Sequence, residues 1–305
     1  MSGGADNKAS GWRTPERASN KAFPSAVLPY AWLVAFFLAP LLVSLAISLT
    51  HALDSVPPYS NPLDWRSLNP DNYRSILSDD LYAVALRNSV RIAATTALLC
   101  LGLGYPMAYA MALEPPRRRQ ILLMAVILPF FTSSLIRTYA MINLLKETGL
   151  INQALIALHL VDPAHPPSIL YTDWAVQIGM VYNYLPFMVL PIYANLVKID
   201  WTLAEAARDL GAPQWKAFSR IILPLSWPGV LSGVLLVFIP ACGEYVVPTL
   251  LGGQNYVMLG TQLSNEFFQN RDWPTASAVA ILLLAILVVP LLVLQWIARR
   301  LEGAS

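Results

Sequence analysis

The chain has 305 residues, 56% of them hydrophobic and 12% charged, with a formal net charge of +2 and a mean hydropathy of +0.52. Soluble domains carry roughly twice that charged fraction, so the composition argues against a single water-soluble domain, and so small a net charge does not suggest a nucleic-acid partner. Cys100 and Cys242 both lie in apolar runs, indicating neither a disulfide framework nor a thiolate metal site.

Residues 1–26 are polar, rich in Ser, Ala, Asn and basic side chains, and cannot bury a core; a disordered tail is expected there. Residues 27–50 carry no charge over 24 positions, too long for the apolar region of a cleaved signal peptide, and predict a first span. Prolines 57, 58, 62 and 70 with acids at 54, 64, 71, 79 and 80 mark a loop, with one short helix near Asn72–Leu77. Further spans are predicted at 90–113, 121–145, 174–197, 224–250 and 274–298. Each is long enough to cross ~30 Å of hydrocarbon at ~1.5 Å per residue. The second ends at Glu114-Pro115-Pro116 and the arginines 117–119. The expected fold class is an all-α membrane protein with six transmembrane helices over residues 27–300.

Orientation follows from Lys and Arg in alternate loops, because basic side chains stay on the cytoplasmic side during insertion. The tail, the loops 114–120 and 198–220 and the end 299–305 hold 13 bases against 7 acids. The opposite loops, 51–86, 142–173 and 251–273, hold 4 bases against 10 acids. Both termini are therefore expected in the cytoplasm. The outer face carries an acidic surplus that would favour a cationic ligand or a basic partner surface.

The inner loop 198–223 is the most informative segment. Within TLAEAARDLGAPQWKAFSRIILP, residues 202–224, Thr202 and Glu205 have capping-box spacing, so a helix should start there. Leu203, Ala206, Ala207 and Leu210 form one apolar stripe, Gly211 can take the left-handed conformation that ends a helix, and Pro213 suits the start of another. The expected unit is helix, glycine turn, helix, shaped for docking in a groove of another protein.

Glu205-Ala206-Ala207, then three residues, Gly211, nine residues and Ile221-Ile222-Leu223-Pro224 resemble the EAA motif of ABC-importer permeases at every position. The resemblance covers roughly residues 25–300 and narrows. LPYAWLVAFFLAPLLVSLAISL, GYPMAYAMA, ILPFFTSSLIRTYAMINLL, YNYLPFMVLPIYANLVKID, FIPACGEYVVPTLLGG and EFFQNRDWPTASAVA look like a permease of the putrescine/spermidine importers. This implies the architecture of type I importer permeases in the bacterial inner membrane. It implies that Glu205, Ala206, Ala207, Gly211, Ile221, Leu223 and Pro224 couple the chain to a dimer of ATP-binding subunits. It also implies a second permease, different from this chain, and a periplasmic polyamine-binding protein. Permeases for amino acids, iron or thiamine remain alternatives, as does a secondary carrier acting without ATP.

The absences agree with a transport subunit that is not an enzyme. No GxxxxGK[ST] loop is present, so ATP and magnesium would be bound by the partner and no cofactor by this chain. LGLG at 101–104 lies inside a span, where small residues serve helix packing. His51, His159 and His165 fall at or beyond span ends without HExxH spacing, so no metal site is expected, and no GxSxG serine elbow occurs.

Arg137 and Glu244 are the ionisable residues inside spans, where a charge needs a partner or a wet cavity. Glu244 could line a cation path with Tyr245, Tyr182, Asn183 and Tyr184, whose rings and amide can hold an ammonium group. Straight helices from Ile121 and Ser226 would bring Arg137 and Glu244 about 24 Å and about 27 Å into the membrane. That agreement in depth predicts an ion pair between them.

Overall fold

The computed structural model describes residues 22–62, 64, 68–162, 166–253 and 256–302, with side chains not described at 22–26, at 28 and from 289 on. The expected disordered tail lies outside the described residues up to position 21. Residues 22–26, which the tail was expected to include, already belong to a helix, α1 (Ala22–Ser48).

The helical elements follow in chain order. After α1 come α2 (Asp71–Ser78), which matches the short helix expected in the first loop, α3 (Asp80–Leu113), α4 (Pro116–Ile127), α5 (Ser134–Leu145) and α6 (Leu150–Ala157). Then follow α7 (Asp173–Leu196), α8 (Thr202–Asp209), α9 (Gln214–Ala217), α10 (Leu223–Cys242), α11 (Val246–Gly252), α12 (Leu259–Ser264) and α13 (Trp273–Glu302). No strand occurs among the described residues.

Four helices are long and apolar enough to cross a membrane: Pro29–Ser48, Asp80–Leu113, Asp173–Leu196 and Gln214–Cys242. They overlap the first, second, fourth and fifth expected spans, the fifth only as far as Cys242. The expected third span, 121–145, is not one helix: Pro116–Phe131 and Ser134–Ala157 meet at 92°. The cause is local. Pro129 lacks an N–H, and the carbonyl of Pro129 accepts both the Thr132 hydroxyl, at 2.7 Å, and the Thr132 N–H, at 3.2 Å. The last turn thereby closes as a 3₁₀ turn, Leu128–Phe131, and the chain becomes extended at Thr132.

The expected fifth span, 224–250, is also broken. Pro240 cannot donate to the carbonyl of Leu236, and the N–H groups of Gly243 and Glu244 bond only three residues back, to Pro240 and Ala241. The helix stops at Cys242 and restarts at Val246. The sixth expected span coincides with α13, whose described apolar part is Trp273–Val288.

α3, α7 and α10 pack on one another and form the core. Ala93, Ala97, Cys100 and Ala108 meet Met180, Met188, Val189 and Ile192 of α7 and Val230, Val237 and Ala241 of α10. Backbones approach closely where glycine permits it. A Cβ at Gly229 would lie 2.6 Å from Asn195 Cβ and 3.0 Å from the carbonyl oxygen of Pro191. One at Gly233 would lie 2.8 Å from Met188 Sδ. α1 stands apart: it packs on α13, and its apolar stretch is 6% buried.

Candidate functional site

The loop 198–224 is built by short-range rules. α8 starts at Thr202, but Thr202 is inside the helix and no capping box forms with Glu205. Asp200 does the capping: its carboxylate accepts the Thr202 N–H at 3.1 Å and the Thr202 hydroxyl at 2.8 Å. These bonds, the hydroxyl's first, hold the Asp200 carboxyl below its usual range. At the other end Gly211 has φ +86°. The Gly211 N–H bonds the carbonyl of Arg208 at 2.9 Å, and the Ala212 N–H bonds that of Ala207 at 3.0 Å, which together make a Schellman motif. A Cβ at Gly211 would meet nothing within 4 Å, so the demand for glycine is torsional and not steric.

Pro213 immediately precedes α9, and α9 runs through a π-turn, Phe218–Ile222, into α10. In that turn the Leu223 N–H bonds the carbonyl of Phe218, five residues back. Pro224 explains the extra residue, because its ring crowds the carbonyl of Arg220 and it offers no N–H. Leu203, Ala206, Leu210 and Trp215 remain exposed, and Ala207 is partly buried.

The loop is tied to the core by aromatic rings that its own sequence does not reveal. Phe218 sits edge-on between Tyr105 and Tyr109 of α3, at 5.9 Å and 5.4 Å, and Trp201 meets Tyr109 at 5.8 Å. Tyr105 also shares a 2.8 Å hydrogen bond with Ser226 of α10. The rings join the loop to α3, and the Tyr105–Ser226 bond joins α3 to α10.

The second site is a cavity of about 580 Å³ between α5, α7 and α10, lined by Phe130, Ser134, Arg137, Asn183, Tyr184, Phe187, Leu235, Leu236, Ile239, Pro240 and Glu244. Both helix breaks open onto it, which is where non-helical backbone is tolerated at membrane depth. Glu244 lies in the second break, and one carboxylate oxygen accepts the N–H groups of Tyr245 and Val246 at 3.2 Å and 3.0 Å. It thus satisfies the start of α11. The other oxygen accepts the Tyr184 hydroxyl at 2.7 Å. Three donors leave the carboxylate room for one more.

Asn183 is 8% exposed; its amide nitrogen bonds the carbonyl of Gly179 at 3.1 Å, and its Oδ1 has no partner. Phe130 and Phe187 stack edge-on at 5.0 Å beside them. Of the residues expected to form one path, the structure gathers Glu244, Asn183 and Tyr184 and leaves out two. Tyr182 turns to a separate apolar groove with Met107 and Pro186, and Tyr245 is 45% exposed outside the cavity lining.

The expected Arg137–Glu244 ion pair does not form. Both side chains line the cavity, but Arg137 lies over the Phe130 ring at 5.2 Å, and its Nε and Nη1 have no hydrogen-bond partner. The depth agreement assumed straight helices, and both are broken near these residues.

On the face carrying the first expected outer loop, Arg91 pairs with Asp173 at 2.7 Å, and the Tyr256 hydroxyl donates to Asp173 at 2.8 Å. Burial, then that hydrogen bond, pushes the Tyr256 phenol up. Glu266 likewise accepts the Tyr82 hydroxyl at 3.0 Å and the Asn270 amide at 2.8 Å. Part of the acidic surplus therefore serves internal structure, while Asp54, Glu266 and Asp272 line an open polar cleft of about 820 Å³.

Known proteins resemble the chain in sequence and in fold. The chain is 41% identical over 262 residues, 85% of its length and 88% of the relative's, to the spermidine/putrescine transport system permease protein PotB of Haemophilus influenzae. It is 43% identical over 231 residues, 76% of its length and 82% of the relative's, to PotB of Escherichia coli. It is 30% identical to the inner membrane ABC transporter permease protein YdcU of E. coli over 76% of this chain and 75% of that one. Among solved structures, a chain of a bacterial ABC transporter that imports the acidic polysaccharide alginate superposes with a TM-score of 0.63 at 17% identity, covering 92% of this chain and 96% of that one. The family profile described as binding-protein-dependent transport system inner membrane component matches residues 101–303. The profile covers most of the chain and the relatives agree with it: the chain belongs to the family of inner-membrane components of binding-protein-dependent transport systems.

Proposed function

We propose that this chain is one of two different permeases in an ATP-driven importer of polyamines, spermidine and putrescine among them. The observation that carries the cargo assignment is Glu244, a carboxylate fixed in a helix break, with acceptor capacity to spare and aromatic rings beside it. An ammonium group can be held there by charge, by the free Asn183 oxygen and by ring faces. The identity to PotB proteins supports the same cargo.

In this reading the chain crosses the inner membrane six times with both termini in the cytoplasm, the third crossing being bent. The loop 198–224, with Glu205, Ala206, Ala207, Gly211, Ile221, Leu223 and Pro224, faces the cytoplasm and seats in a dimer of ATP-binding subunits, which hold ATP and magnesium. Its exposed Leu203, Ala206, Leu210 and Trp215 supply the apolar contact. The acidic cleft on the opposite face receives a periplasmic polyamine-binding protein. Closure of the ATPase moves α8 and α9, and Phe218 passes that motion to α3 and α10. Alternating access then requires that ATP and cargo each prefer one of two conformations.

The test is uptake of labelled spermidine, putrescine and an amino acid by vesicles holding the full complex. ATP-dependent uptake of the polyamines, competed by one another and not by the amino acid, is expected. Uptake that survives without ATP and fails with collapse of the proton gradient would overturn the assignment.

A further inference from the structure

Arg137 enters the cavity from the first turn of α5 with its charge unmatched. The Phe130 ring attracts it but accepts no N–H bond in the plane of the guanidinium, and Nε and Nη1 stay shielded and bare.

No carboxylate of the chain's own cavity reaches it. Glu244 lines the same cavity but is turned to Tyr184 and two backbone amides and forms no ion pair with Arg137. The free Asn183 oxygen is uncharged. The proposed cargo is itself a cation and is repelled. Meanwhile the flank of the cavity meets the protein's apolar surface: Leu236 of its lining is half exposed, and Phe131 and Ile136, next in sequence to the lining residues Phe130 and Arg137, are more so. Hydrocarbon could cover those side chains. It could not cover Arg137 and Glu244 without a large penalty, whereas a protein surface carrying the right groups could cover both.

We propose that the second permease closes this flank and sets an aspartate or glutamate carboxylate against Arg137, forming an ion pair between the two subunits beside the cargo path. The inference rests on the two-permease assembly proposed above. It gives Arg137 a positioning role: with its charge cancelled from across the interface, Glu244 alone draws the cation in. A fixed positive charge in a cation path then has a physical reason.

The experiment uses the full complex, with a tag on this chain and the second permease quantified after purification in mild detergent. Arg137→Glu should lower the co-purified second permease by at least about tenfold, Arg137→Gln by less, and Arg137→Lys least, because a buried pair is most disrupted when one partner is reversed. An Asp→Lys or Glu→Lys change within the second permease should restore both co-purification and spermidine uptake to Arg137→Glu. Should Arg137→Glu fail to reach the membrane, Arg137→Gln, paired with an Asp→Asn or Glu→Gln change in the second permease, supplies the same comparison without a reversed charge. Unchanged co-purification in every Arg137 variant would overturn the ion pair while leaving the assembly intact. Restoration by Glu244→Lys in this chain, and by no change in the second permease, would overturn it too. If the unaltered chain brings down no second permease, the assembly and the ion pair fall together.

Discussion

The loop 198–224 and the cavity between α5, α7 and α10 are both polar exceptions in an apolar chain, and they are built over opposite ranges of sequence. In the loop, Asp200 bonds Thr202, Gly211 bonds Arg208 and Ala212 bonds Ala207, all within five residues. In the cavity, Glu244 meets Tyr184 across 60 positions, and Arg137 and Asn183 arrive on different helices. A motif can therefore record the loop's cap and turn, because those bonds close along the same stretch, although Phe218 and Trp201 reach out to Tyr105 and Tyr109 of α3. No motif can record the cavity, because its geometry exists only after α7 and α10 cross at Gly229 and Gly233.

The comparison breaks most readily at Glu244. Glu244→Gln keeps a side-chain acceptor in the break but removes the negative charge on which the ammonium binding proposed above rests. Spermidine uptake per assembled complex should fall at least tenfold, and equal uptake would show that the cavity is not the cation path. Next is Tyr184→Phe, which deletes one hydrogen bond to the carboxylate, worth about 1.5–3 kcal/mol for a charged acceptor. It should reduce uptake in the same direction with ATP binding unaltered. An effect confined to protein level would instead make Tyr184 a packing residue.

The loop should respond differently. Gly211→Asp places a side chain at φ +86°, costing about 1–2 kcal/mol in the left-handed region, with open space around the new Cβ. The chain should insert normally while ATPase co-purification and uptake both drop. A variant that transports at the normal rate with its ATPase bound would remove the coupling role. The smallest effect is expected for Asp200→Asn. The cap's lowered carboxyl pKa means that its stabilisation is present above the ordinary carboxylate range and is lost as pH falls through the lowered value. Limited proteolysis of the loop should be faster in Asp200→Asn at neutral pH, and the difference should vanish in acid.

Several features were legible from residue order alone, for reasons that are local. Uninterrupted apolar runs require helices because a bilayer offers backbone groups no other partner, and this located the four long spans and α13. The glycine turn at Gly211 followed from the one residue without a Cβ penalty there. Capping-box spacing points to Thr202 as the cap of α8, but Asp200, two residues earlier, accepts the Thr202 N–H and hydroxyl, and the Glu205 N–H goes to the Trp201 carbonyl instead. Hydropathy could not show that the third and fifth spans break, because Thr132 and Gly243 are tolerated in continuous helices elsewhere. The breaks depend on the bonds that close just after each proline, from Thr132 to the Pro129 carbonyl and from Gly243 and Glu244 to those of Pro240 and Ala241. Nor could depth along a helix settle the partner of Arg137. Two opposite charges at one level form a pair only where packing turns their side chains toward each other. Here the amides of Tyr245 and Val246 and the Tyr184 hydroxyl claim the acid, a choice made by the tertiary packing of α7 against the broken end of α10.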